Sequence, residues 1–122
     1  MVRRDATNAR AEIGVDTIVA AATPPGRGGI GIVRLSGPQA PEMAVTIAGE
    51  LPQPRRATLA RFLDGSQQPI DAGFVLYFPE PHSYTGEHVV ELHGHGGPVV
   101  VEALIARAVA LGARRALPGE FT

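Results

Sequence analysis

The chain has no cysteine, no tryptophan and no lysine: all eleven of its cationic side chains are arginine. Without cysteine there is no disulfide, no thiolate metal ligand and no cysteine nucleophile. Without lysine the phosphate-binding loop G-x-x-x-x-G-K-[ST] cannot occur, and every cation is a planar, permanently charged fork that suits a carboxylate or a phosphate. Aromatic residues make up only 5% of the chain, and the formal net charge is −1, so no global basic field steers nucleic acid toward it. Long apolar runs are missing too. The longest, Pro98 to Ala113, is interrupted by Glu102 and Arg107 and is too short to span a bilayer, so no membrane partner is expected. Arg3 and Arg4 are followed by Asp5, Arg10 and Glu12 where an export signal would need an apolar segment.

What is present is a hydrophobic content of 44% in 122 residues, enough for one domain that buries about two-thirds of its unfolded surface. Residues 1–14 read as a disordered tail and residues 15–122 as the domain. The end at Phe121-Thr122, with no terminal helix or polar tail, reads as a cut from something longer.

Glycine and proline concentrate in Thr23 to Gly37, TPPGRGGIGIVRLSG. Such a loop lets the backbone approach another surface closely, while Pro24 and Pro25 stiffen its entry. Gly26 to Gly31 also satisfies the dinucleotide fingerprint G-x-G-x-x-G, but that motif needs a helix opening directly from it. Here a β-branched run follows, Ile30, Ile32 and Val33, and a helix can begin only after Gly37-Pro38. Arg27 within the loop reads as a solvated or interface arginine.

Elsewhere the pattern predicts strands over Asp16–Ala22 and Ile30–Ser36, then a helix over Pro38–Ala48 closed by Gly49. Ala57–Leu63 and Ile70–Phe78 form a hairpin across an Asp64-Gly65 turn signal. Glu87–Gly94 is a strand, Pro98 opens a helix capped by Gly112, and Arg114–Leu117 is a last short strand. The expected class is α+β, a mixed sheet with two to three helices packed on one face.

Two groups of side chains could carry chemistry. In His82 to Gly97, HSYTGEHVVELHGHGG, a period of two puts Glu87, Glu91, His93 and His95 on one face of a strand. Glu91, His93 and His95 are candidate metal ligands, which would make the chain a small metal-dependent hydrolase using His93 and His95. Their roots, however, spread over about 13 Å, wide for one ion. The alternative is a ligand-facing strand whose histidines serve as hydrogen-bond partners. Arg34 is the odd residue of its own strand, a charged fork in a row with Ile30 and Ile32. It reads as an exposed strand end, as one half of a pair with Glu87 or Glu91, or as the binder of an anionic ligand. No nucleophile elbow and no pair of catalytic carboxylates is present, so no catalytic centre is expected within these residues.

Asp16 to Gly37, Ser83 to Gly97 and Pro118 to Thr122 (PGEFT) together resemble the amino-terminal domain of the MnmE/TrmE family of tRNA modification GTPases. The resemblance covers the chain after residue 15. His88 departs from it, standing where the family usually has an acidic residue. The resemblance implies a fold like the folate-binding domain of glycine-cleavage T-proteins, a homodimer, and binding of 5-formyl- or methylene-tetrahydrofolate. By motif matching it assigns folate contacts to Arg34 and Glu91, and it places further lysine contacts beyond Thr122. It also implies that a longer polypeptide carries a GTPase domain using GTP, magnesium and potassium. That protein would act in the cytoplasm with the flavoprotein MnmG (GidA) on the wobble uridine of tRNA, folate supplying the one-carbon unit.

Overall fold

Alternation along the strands divides this molecule into two layers. The computed structural model describes residues 16–22, 29–81, 83 and 85–121. The expected tail over residues 1–14 and the part of the glycine-rich loop that holds Arg27 lie outside them. The strands are β1 (Ile18–Ala21), β2 (Ile30–Ser36), β3 (Thr58–Leu63), β4 (Pro69–Phe78), β5 (Val89–His95) and β6 (Arg114–Arg115), and the helices are α1 (Ala40–Ala48) and α2 (Pro98–Ala110). They form a six-stranded sheet in the order β3-β4-β5-β2-β1-β6. The β1–β6 pair is parallel and the other pairs are antiparallel, so the sheet is mixed and the class is α+β, as expected.

One face of the sheet carries Val19, Val33, Leu35, Phe62, Val75, Val90 and Leu92, all buried in one cluster. Met43, Ala44 and Ile47 of α1 and Leu104, Ile105 and Ala108 of α2 complete it. Burial of these side chains is the main drive to fold, at about 25 cal/mol for each Å² of apolar surface removed from water. The opposite face carries no helix among the described residues.

Several element ends differ from expectation, each for a local reason. Helix α1 starts at Ala40, not Pro38: Gly37 to Gln39 make a turn whose Gln39 N–H donates to Thr17 Oγ1 at 2.9 Å, and Pro41 sits in the first helical turn. Strand β1 is Ile18–Ala21, shorter than 16–22: its partner β2 ends at Ser36, opposite Ile18, where Gly37 at φ +143° turns the chain away and leaves Asp16 and Thr17 beyond the pairing. Strand β5 starts at Val89, not Glu87; the Glu87 carboxylate accepts from Ser36 Oγ at 3.2 Å, and its carbonyl accepts from Ser83 Oγ. Strand β6 stops at Arg115 rather than Leu117. Ala116 N–H still donates to Val19 O, but Pro118 has no N–H and Gly119, at φ +80°, turns the chain away. The hairpin turn lies where predicted, with Asp64 Oδ1 accepting from the N–H groups of Ser66 and Gln68. These two bonds, that from Gln68 foremost, hold the Asp64 carboxyl below its usual range. Gly112, at φ +117°, follows the last turn of α2, as expected.

Candidate functional site

The site is assembled by register. Arg34 of β2 and Glu91 of β5 are direct cross-strand partners, and Leu76 of β4 stands on the other side of Glu91. Residues directly opposite one another share a face, so Leu76, Glu91, Arg34 and Ala20 form one transverse row on the helix-free side. The next row holds Leu59, Phe74, His93 and Ile32. Leu59, Phe74 and Ile30 are 69%, 44% and 60% exposed. This face is therefore an open apolar floor with a charged cluster at its centre.

Glu91 is only 8% exposed, and both of its oxygens are engaged. Oε2 accepts from Arg34 Nε at 2.8 Å and from its terminal nitrogen at 2.6 Å. Oε1 lies 2.8 Å from His93 Nε2, so that nitrogen carries the proton and donates. Of the two acids expected to pair with Arg34, the structure selects Glu91. Glu87 instead joins Ser36 and Thr85, whose hydroxyls lie 2.9 Å apart, and this group closes one end of the face. On the β1 side the chain after β6 crosses the face and brings the Phe121 ring to Arg34, whose guanidinium carbon is 6.0 Å from the ring centroid.

His95 does not join the cluster. Its Nδ1 lies 2.7 Å from Asp71 Oδ1, and its backbone N–H donates to Asp71 Oδ2 at 2.7 Å. Burial pushes the Asp71 carboxyl up, but the N–H groups of His95 and Ala72 and the His95 ring outweigh this and hold it below its usual range. Glu91, His93 and His95 thus do not converge, and among the described residues no group of three or more histidine, aspartate or glutamate side chains is placed to hold a metal ion. Asp71 was not singled out in the sequence. Its signal was available, since it is an acid in the apolar strand IDAGFVLYF, as conspicuous as Arg34 in its own. Phe121 had no such signal.

Fold and site together define a two-layer α+β domain, with helices on one face of the sheet and a carboxylate held between a guanidinium and an imidazole on the other. Residues 17–122 match the family described as GTP-binding protein TrmE N-terminus, and the chain belongs to that family. It is 64% identical over 107 residues to the tRNA modification GTPase MnmE of Nitrosomonas eutropha, an alignment covering 88% of this chain and 24% of that protein. Over the same length it is 58% identical to the MnmE of Thiobacillus denitrificans, with the same coverage of both chains. The MnmE of Chromohalobacter salexigens is 59% identical over 107 residues, 88% of this chain and 23% of that protein. The chain therefore spans about a quarter of the length of these relatives. No helix among the described residues is long and apolar enough to cross a membrane.

Proposed function

We propose that this chain is the tetrahydrofolate-binding, homodimerising domain of a GTP-hydrolysing tRNA-modification enzyme. The observation that carries the reading is the placement of Glu91, a nearly buried carboxylate in the middle of an open apolar sheet face. A pterin presents a ring N–H and an exocyclic amine side by side; Oε1 of Glu91 accepts only from His93 and keeps a lone pair for one of them, while Oε2, which accepts twice from Arg34, would take the other by giving up one of those bonds. Phe74, Leu76 and Ile32 offer apolar surface to the flat ring, and Arg34 offers donors to a carbonyl or carboxylate elsewhere on the ligand. The names of the relatives support the wider role, since each is a tRNA modification GTPase.

In that role a 5-formyl- or methylene-tetrahydrofolate supplies the one-carbon unit added at C5 of the wobble uridine. MnmG is the partner, and the reaction takes place in the cytoplasm. GTP, magnesium and potassium are used by a part of the polypeptide other than these residues.

Calorimetric titration with 5-formyltetrahydrofolate tests the site. The wild-type chain should bind, and Glu91→Gln, which keeps the size but turns an acceptor into a donor, should bind more weakly by about 1.5–3 kcal/mol. Equal affinity in a correctly folded Glu91→Gln protein overturns the reading, as does a full-length protein that binds no folate.

A further inference from the structure

We infer that Arg114 and Glu120 are positioning residues for this site, clasping the segment after β6 so that Phe121 holds Arg34 in place. The inference rests on the folate reading of the Glu91 cluster and adds to it two residues that touch no part of the cluster themselves.

The segment Ala116 to Phe121 leaves the sheet edge and turns back over the helix-free face. Ala116 N–H donates to Val19 O at the sheet edge, and beyond it Leu117 is exposed and adds little apolar burial. A fork of charge holds the segment down. The two terminal nitrogens of Arg114 donate to the two oxygens of Glu120 at 3.1 and 2.6 Å, a bidentate pair, while Arg114 Nε donates to Asp16 Oδ2 at 3.1 Å. Glu120 Oε1 also accepts from Leu117 N–H at 2.6 Å, and Glu120 N–H donates to Leu117 O, which closes the turn on itself. These bonds, that from Arg114 foremost, hold the Glu120 carboxyl below its usual range, so the clasp stays charged at neutral pH.

The geometry has a consequence one residue further on. Phe121 lies against Arg34, and a cavity of about 360 Å³ lies between Ala116–Phe121 and Ala20–Ala21. Ala20 is the cross-strand partner of Arg34, so this cavity adjoins the row that contains Glu91. Arg34 is thereby confined between a carboxylate and an aromatic ring. Releasing Glu120 frees Phe121, and a ligand must then order Arg34 at its own expense, which appears as lost affinity and faster dissociation.

The chain lacks tryptophan, so Phe121→Trp creates a single fluorescent reporter of this contact. Measured with and without Glu120→Gln, acrylamide quenching should rise when the clasp is removed. The affinity for 5-formyltetrahydrofolate should fall about two- to fivefold, the range of an exposed ion pair, mainly through the dissociation rate. Arg114→Lys, which keeps the charge but loses the fork, should lie between the two, and the differences should shrink in high salt. Quenching that is the same in both backgrounds overturns the clasp, and unchanged ligand affinity with a loosened tryptophan overturns its positioning role. If the full-length protein with Glu120 and Arg114 intact binds no folate at all, it is the folate reading that fails, and the positioning role falls with it.

Discussion

Glu91 serves two groups at once, Arg34 and His93, and in the proposed role a ligand as well, so that its substitution is expected to change stability as well as binding. Glu91→Gln leaves a largely covered guanidinium without its counter-charge. Removing one partner of such a pair costs about 1–3 kcal/mol, so the melting temperature should drop by several degrees in a scanning calorimeter. A binding measurement on that variant must therefore be made well below its midpoint. His93 offers a cleaner probe of the site, because it is only partly covered and its ring does one thing, donating from Nε2 to Glu91 Oε1. A loss of about 1 kcal/mol, or roughly fivefold in folate affinity, is expected for His93→Ala. His93→Gln, whose amide can replace the donor, should recover most of it. Equal weakening by both variants in a titration would assign His93 to packing alone.

At the scale of elements, the decisive contact is the β2–β5 pairing, because it alone brings Arg34 and Glu91 together across 57 residues of sequence. The neighbouring β4–β5 pairing is just as tightly drawn. A Cβ on Gly73 would overlap the carbonyl oxygen of His93, so the two backbones meet there as only glycine allows. Gly73→Ala should push β4 from β5 beneath the site and destabilise the fold by about 1–3 kcal/mol, read as a lower denaturant midpoint. It should weaken folate binding as well, since His93 moves with its carbonyl. Full stability in Gly73→Ala would show that the strands can part without cost.

For the whole molecule the open question is assembly. The helix-free face exposes Ile30, Leu59 and Phe74, and the glycine-rich segment reaches it at Gly29. Gly29 is a suitable probe because a Cβ there meets nothing within 4 Å among the described residues, so a substitution leaves the packing among them intact. If the domain dimerises through this segment, Gly29→Glu is felt twice across the two-fold axis and shifts the equilibrium to monomer. Sedimentation at tens of micromolar should show a dimer for the wild-type chain and a monomer for the variant. A wild-type monomer at that concentration would remove these residues as the source of dimerisation.

Local chemistry was legible in the residues themselves. The Asp64-Gly65 turn, the Gly49 and Gly112 helix ends and the alternation of β2 and β5 all rest on preferences that act within a few positions, and they appear where the pattern put them. Arg34 announced itself as a charge in an apolar row, and its need for a partner could be stated before the partner was known. The choice between Glu87 and Glu91 could not, because it depends on the register of two strands more than fifty residues apart. The same holds for His95, which alternation placed beside Glu91 but which bonds to Asp71 at the strand end. Phe121 reaches Arg34 because the chain turns back at Pro118 and Gly119, with Arg114 and Glu120 bonded across that turn. Such contacts are decided by which elements pack together, since a side chain at the end of a strand or in a turn takes the partner that tertiary structure brings within 3 Å or so. The sequence thus determined the elements and the chemical character of the site, while the sheet order determined its composition.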